Sequence, residues 1–289
     1  MLTFISLSLC VEYFYLDQST TNLAFILCTG YLSMSGPTNG SVASTGGISD
    51  VQYYKVGDTN SKKCIVLIPD IWGWHGGRTR QLADHWATEL NCLAIVPKIQ
   101  PAFEGGTDDD GLPPNFDMKT RGGDFKAWAC SPGMNFNSSL QPKLQALHDH
   151  LTNDLKVDKL ALVGFCWGYW CVAKFCGIPS LAVNVVATCG PHPSVHLEDA
   201  FFGGSSASVM EKVNVPSLLL PTSNDPNSYR TDGDMLNALK SNGNEVSTFT
   251  DYPAVVHGFL ARGDDTDPVV KENIQKAQQE IADWIKKYF

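Results

Sequence analysis

From Val51 to the C-terminus, short apolar runs alternate with amphipathic stretches, a pattern that predicts strands alternating with helices in a mostly parallel sheet. The runs Val51–Val56, Ile65–Pro69, Leu93–Val96, Leu160–Val163, Ala182–Ala187, Ser217–Leu220 and Glu245–Thr250 read as strands. Between them, Arg78–Leu90 sets Leu82, Trp86 and Leu90 on one side of a helix, and Leu140–Leu155 repeats Leu144, Leu147, Leu151 and Leu155 at helical spacing. A third helical pattern, Pro268–Tyr288, carries Ile274, Ala277, Ile281, Trp284 and Ile285. The region from Lys98 to Asn137 holds a Gly/Pro/Asp-rich stretch, Glu104–Pro114, and is expected to pass over one face of the sheet, because loops this long in a domain are usually functional. No internal repeat or second domain is visible, and 289 residues leave room for one large core.

Residues 1–50 are patterned differently. Two apolar stretches, Leu2–Leu9 and Leu23–Leu27, flank a polar patch, and no Lys or Arg precedes Lys55. A secretory signal begins with a basic region, and a spanning helix needs about 20 apolar residues without breaks such as Glu12 and Asp17. A second methionine, Met34, opens the Ser/Gly/Thr-rich stretch Ser35–Ser49. The expected organisation is a poorly ordered N-terminal extension over 1–50 and one domain over 51–289, with no stable membrane span. Residues 1–33 read first as a dispensable extension and second as a leader or anchor.

Composition narrows the function classes. With 43% hydrophobic and 18% charged residues, disorder, collagen-like repeats and coiled coils are excluded as descriptions of the whole chain. A net charge of −9, from 21 Lys+Arg against 30 Asp+Glu, argues against nucleic acid, which needs a basic stripe. Nine cysteines without a Cys-x-x-Cys pair read as reduced, mostly buried thiols of a cytoplasmic protein.

The segment richest in chemistry is Leu160-Ala-Leu-Val-Gly164-Phe-Cys166-Trp-Gly168, in which an apolar strand runs into Gly-x-nucleophile-x-Gly and then into the helix-compatible run Tyr169–Phe175. Glycines flank such a turn because the nucleophile is held in a strained conformation and neighbouring chains pass close to it. The turn would push Cys166 Sγ out at the carboxyl edge of the sheet, beside the positive end of the next helix, where a thiolate is favoured. The plainer reading is another buried thiol, as for Cys171, Cys176 and Cys189. On a helix, the spacing of Cys166, Cys171 and Cys176 turns each about 140° from the last, so they cannot converge on a metal.

A nucleophile elbow needs an acid and then a histidine farther along the chain. After Leu218-Leu219-Leu220 comes Asp225, just past the end of a strand, and after the next strand comes His257, in a loop ahead of the terminal helix. Taken singly, Asp225 would be a helix cap and His257 a structural histidine. In this order, each beyond its own strand, they read as orienter and base. The competing histidines lie near the first helix (His75, His85), on an amphipathic helix (His148, His150) and in a Pro-rich loop (His192, His196). None has His-Glu-x-x-His spacing, which disfavours a zinc hydrolase; no metal site and no cofactor is expected.

Gly164-Phe-Cys-Trp-Gly168, Asn224-Asp225 and His257-Gly-Phe-Leu-Ala-Arg-Gly-Asp264 resemble the dienelactone hydrolase family of α/β-hydrolases, whose eukaryotic members include carboxymethylenebutenolidase homologues. The resemblance runs from about Val51 to the C-terminus by motif order. It implies an α/β-hydrolase fold, a mostly parallel central sheet with helices on both faces. It also implies a triad of Cys166, Asp225 and His257, with Asp70 in Pro69-Asp-Ile-Trp-Gly-Trp74 standing for the acidic residue that modulates the nucleophile. The backbone N–H groups of Ile71 and Trp167 would form the oxyanion hole. Two positions depart from the family: the acidic residue is often Glu, and Tyr169 replaces a second glycine, which would narrow the pocket wall or shift the helix start.

The implied activity is hydrolysis of a small ester, lactone or thioester; separately, the chain is expected to be a monomer. Arg262, in the His257 loop, could pair a substrate carboxylate in bidentate fashion, or could be a structural partner of Asp264 or Asp265. Trp72 and Phe259 are candidate substrate contacts, and Trp74 and Trp128 could also line the pocket. Two other classes remain: a catalytically silent member that acts as a binding protein, motivated by Asp70 and Tyr169, and a redox protein using Cys166. The absence of Cys-x-x-Cys weighs against the second.

A chain beginning at Met34 is expected to be soluble and as active as the full chain. Loss of folding or turnover on that truncation, read by circular dichroism and an ester assay, would show that residues 1–33 pack on the domain.

Overall fold

The computed structural model describes residues 37–289, apart from 48, 107, 108, 242 and 245. The expected extension over 1–33 lies outside the described residues, as does Glu245 at the start of the last expected strand. Among the described residues, eight strands form one sheet: β1 (Ser41–Ser44), β2 (Gln52–Gly57), β3 (Lys63–Ile68), β4 (Leu93–Pro97), β5 (Lys159–Gly164), β6 (Val185–Pro191), β7 (Ser217–Leu220) and β8 (Thr248–Phe249). Their spatial order is β1-β2-β4-β3-β5-β6-β7-β8. The β1/β2 and β2/β4 pairs are antiparallel, and all pairs from β4 to β8 are parallel. This is the α/β-hydrolase architecture that the motifs implied.

The helices are α1 (Thr79–Glu89), α2 (Gly122–Ala129), α3 (Gln141–Asp149), α4 (Trp167–Cys176), α5 (Leu197–Phe201), α6 (Ser206–Glu211), α7 (Asp234–Ser241), α8 (Phe259–Arg262) and α9 (Pro268–Lys286). They cover both faces of the sheet, and the period-two alternation of the strands divides the core between them. Val66 and Ile68 of β3 and Leu160 and Leu162 of β5 face Leu144, Leu147, Trp170 and Phe175. Their chain neighbours Ile65, Leu67, Ala161 and Val163 face Leu82, Trp86, Ile274, Ala277 and Ile281 on the other side. Strands buried on both faces are therefore continuous apolar runs, which is why they stand out in the sequence.

Four boundaries differ from the periodicity. β1 lies ahead of Val51, inside the polar Ser/Gly stretch, and is held by register with the β2 residues Lys55 to Gln52 rather than by apolar side chains. The sheet thus begins before residue 51. The strand expected at Ala182–Ala187 starts later, after Asn184 turns the chain at φ +68°, and continues to Pro191 because Thr188, Cys189, Gly190 and Pro191 pair with β7. The last expected strand shortens to Thr248–Phe249. The helix expected over Leu140–Leu155 is widened at both ends into π-helical turns, Phe136–Leu140 and His150–Asp154.

The Lys98–Asn137 region contains α2 and is stitched to the turn after β3. Leu112 N–H donates to the Ile71 carbonyl at 2.9 Å, and Trp74 N–H donates to Asp110 Oδ2 at 2.7 Å. This region therefore braces the sheet edge where the candidate oxyanion donor lies.

Candidate active site

The carboxyl ends of five strands converge on one site. Asp70 follows β3, Cys166 follows β5, His192 and Ser194 follow β6, Asp225 follows β7 and His257 follows β8. A crevice beyond the carboxyl ends of parallel strands is where an open α/β sheet places its ligands.

Cys166 is the turn between β5 and α4. Its backbone lies at φ +55° and ψ −119°, a region that a side-chain-bearing residue occupies only under constraint. A Cβ on Gly168 would strike the carbonyl oxygens of Ile68 and Pro69, and one on Gly164 would strike the backbone of Tyr169. Both glycines flanking Cys166 are thus required because main chain passes where a side chain would be. Trp167 is the first residue of α4, so its N–H has no intrahelical acceptor, and the Ile71 N–H has no backbone acceptor among the described residues.

His257 is oriented from two directions. Its Nδ1–H donates to Asp225 Oδ1 at 2.6 Å, and its backbone N–H donates to Asn224 Oδ1 at 2.7 Å. Asp225 is held in turn by Thr222, whose N–H and Oγ1 each donate to Oδ2 at 2.7 Å. Burial by itself would raise the Asp225 pKa, but the His257 charge and these hydrogen bonds bring it down to about 2. Burial would lower the His257 pKa, yet the Asp225 charge, then the Cys166 charge and the hydrogen bond to Asp225, hold it well above the ordinary histidine value. His257 Nε2 makes no hydrogen bond among the described residues. The arrangement sets an ionised carboxylate behind a histidine whose charged form it favours.

The remaining sequence-predicted residues have other partners. Asp70 receives Arg262 in bidentate fashion, Nε to Oδ2 at 2.6 Å and Nη2 to Oδ1 at 2.7 Å, with both side chains buried. Oδ1 also accepts the Trp72 N–H at 3.0 Å. Arg262 is thus bound to Asp70, where the sequence suggested Asp264 or Asp265; Asp265 lies 3.7 Å from Arg78. The Arg262 guanidinium also lies over the Trp72 ring, 5.4 Å from its centroid. Phe259 is buried, stacked on Tyr252 at 5.3 Å and edge-on to His192 at 5.9 Å, so it backs the site. Trp74 lies under Arg80 at 4.4 Å, and Trp128 Nε1 donates to the Pro101 carbonyl at 3.1 Å, so both serve the surrounding loops. The Tyr169 ring packs where a Gly190 Cβ would be, and its hydroxyl lies 3.5 Å from Thr188 Oγ1.

Three residues near the site were not assigned a role from the sequence. His192 is fully buried at φ +40°, with its ring 4.9 Å from that of His257, and burial followed by the His257 charge keeps it neutral. Ser194 Oγ lies 3.4 Å from Cys166 Sγ. Both follow the true end of β6, and placing that strand's end at Ala187 hid their position on the active edge. Asp110, in the long excursion, is pushed up to about 7 by burial. No group of three His, Cys, Asp or Glu among the described residues could hold a metal ion, and no helix among them is long and apolar enough to cross a membrane.

Comparison with known proteins gives the same picture of the fold. The sequence profile of the dienelactone hydrolase family matches residues 51–289. The carboxymethylenebutenolidase homolog of Mus musculus is 26% identical over 233 residues, 78% of this chain and 82% of its own length. Among solved structures, a dienelactone hydrolase-like promiscuous phosphotriesterase from metagenomic libraries is similar at a TM-score of 0.59 and 14% identity, covering 88% of this chain and 100% of that one. The dienelactone hydrolase of Anabaena variabilis is similar at a TM-score of 0.53 and 13% identity, covering 87% of this chain and 98% of that one.

The buried Asp70–Arg262 pair yields a stability prediction. Arg262→Ala leaves a carboxylate without its cation and should cost about 3–5 kcal/mol in urea unfolding. A loss below about 1 kcal/mol, the range of an exposed pair, would show that Asp70 is hydrated or protonated at no cost.

Proposed function

Because the chain belongs to the dienelactone hydrolase family, hydrolases of ester and lactone bonds, we propose that it cleaves a small ester, lactone or thioester through a Cys166–His257–Asp225 triad. The observation that carries this reading is the cysteine at φ +55° on a strand-to-helix turn, facing a histidine whose far nitrogen is bound to a buried carboxylate. The conformation is strained and the carboxylate is buried, features that cluster at functional sites.

In the proposed reaction, the Cys166 thiol proton passes to His257 Nε2 and the thiolate attacks the carbonyl carbon. The oxyanion is received by the Ile71 and Trp167 N–H groups, worth about 3 kcal/mol each. The alcohol, enol or thiol leaves with the proton from His257, and a thioester remains on Sγ. Water, deprotonated by His257, then attacks that thioester and expels the thiolate. Asp225 keeps the proton on Nδ1 and stabilises the imidazolium. Thiolate is itself a good leaving group, so the tetrahedral intermediate partitions forward only when the substrate's leaving group competes with it. Enol lactones, aryl esters and thioesters therefore fit better than simple alkyl esters.

Binding is proposed to use Trp72 and Phe259 around the acyl group, with Arg262 meeting a substrate carboxylate. Arg262 already holds a carboxylate, that of Asp70. An acidic substrate must compete for it, and Asp70 would act on the nucleophile only through that exchange. The seven cysteines among the described residues are all unbridged, which supports a reducing, cytoplasmic setting.

The test is a screen of lactones, aryl esters and thioesters with two variants. Cys166→Ala should abolish turnover with the fold intact, and turnover near the wild-type rate would overturn the assignment. Asp225→Asn, which favours the wrong imidazole tautomer, should lower kcat by about 10⁴-fold with little change in KM. An unchanged kcat would transfer the orienting role to another carboxylate.

A further inference from the structure

The loop after β6 brings a second hydroxyl-bearing residue to the nucleophile. Ser194 is fully buried, and its backbone N–H donates to the Cys166 carbonyl at 3.1 Å. The surrounding main chain pins it in place: Cys166 N–H donates to the Pro191 carbonyl at 3.3 Å, and His192 N–H donates to the Leu220 carbonyl at 2.9 Å. Among the described residues, the Ser194 hydroxyl has one hydrogen-bond partner, Cys166 Sγ at 3.4 Å. A hydroxyl always has a proton to donate, and a buried one left undirected loses its hydration without return. A thiol sulfur is a weak acceptor, whereas a charged acceptor roughly doubles the strength of a hydrogen bond. The contact is therefore worth most when Sγ carries negative charge.

We propose that Ser194 is a positioning residue for the nucleophile: its Oγ–H donates to the Cys166 thiolate and sets the fraction of Cys166 that is ionised. The inference rests on the triad reading for its use in turnover, but not for its chemistry. The thiol proton passes to His257 Nε2, Sγ takes the negative charge and Ser194 keeps its own proton, so no bond to Ser194 forms or breaks. During acylation the charge leaves Sγ as the S–C bond forms. During deacylation it returns as that bond breaks, and the same donor favours expulsion of the thiolate.

The other groups that act on Sγ are independent of this hydroxyl. His257 supplies the cation, Asp225 stands behind it, and neutral His192 lies edge-on to His257. The Tyr229 hydroxyl, whose ionisation the Cys166 charge opposes, is bonded to His196, which burial lowers to about 4. Arg262, bound to Asp70, opposes protonation of His192. Removal of the Ser194 hydroxyl leaves all of these in place.

The test follows the ultraviolet absorbance of the Cys166 thiolate against pH in the full chain, with Cys166→Ala in the same background as the blank. Ser194→Ala should raise the midpoint by about one pH unit, a tenfold loss of thiolate below both midpoints. Ser194→Thr, which keeps the hydroxyl, should stay near the wild-type midpoint. If Ser194→Ala does not fold, Ser194→Gly serves the same comparison. An unchanged midpoint in a folded variant without the hydroxyl overturns the proposal, as does an equal rise in the Thr and Ala variants, which would mark a packing effect. The readout needs no turnover. A shifted midpoint in a protein that hydrolyses none of the esters would sustain the Ser194 role and overturn the function proposed above; turnover with an unshifted midpoint would do the reverse.

Discussion

The backbone of Cys166, held at φ +55° between β5 and α4, is the constraint on which the site depends. A non-glycine residue in such a region costs of order 1–3 kcal/mol and persists only where its surroundings over-determine it. Here they do so through main-chain bonds on each side. Phe165 N–H donates to the Ile68 carbonyl at 3.0 Å, Cys166 N–H to that of Pro191 at 3.3 Å, and Gly168 N–H to that of Phe165 at 2.7 Å. The first two tie the turn to the strands flanking β5, so Cys166 cannot relax without disturbing the centre of the sheet. The same tightness excludes side chains at Gly164 and Gly168 and sends the Tyr169 ring over Gly190.

Around that turn, the low-dielectric edge of the sheet treats three buried carboxylates differently. Asp225 stays ionised because His257 and Thr222 together outweigh its desolvation. Asp70 is matched by the planar fork of Arg262, a geometry that Lys could not reproduce. Asp110, bonded to the Trp74 N–H, is pushed up to about 7 by burial. His192 follows the same logic in reverse. Beside an imidazole that Asp225 stabilises as a cation, a second buried imidazole cannot also be charged, so it remains neutral and serves as a wall.

What the sequence could reveal was local or ordered along the chain. The elbow is contiguous, its glycines and cysteine are dictated by one turn, and the strand-to-helix change on either side is carried by apolar patterning. Asp225 and His257 were legible because each follows an apolar run and because the order acid then histidine is a chain property. The doubly buried strands β3, β4, β5 and β7 announced themselves as continuous apolar runs. β1 gave no such signal, since an edge strand of serine, valine and alanine is held by backbone pairing with β2 and has little side-chain burial to record.

Tertiary structure decided the pairings between distant residues. Arg262 meets Asp70 across 192 positions because α8 and the turn after β3 pack against each other, and periodicity says nothing of that distance. His192 and Ser194 reached the site because β6 runs on to Pro191, a length set by hydrogen bonds to β7 rather than by the hydrophobicity of its own last residues. Sequence by itself determined the identity and order of the candidate reactive groups, since strand alternation and turn chemistry are written residue by residue. Which carboxylate each cation holds, and which hydroxyl faces the sulfur, depended on sheet register and loop packing, where a shift of one strand end changes every neighbour at the active edge.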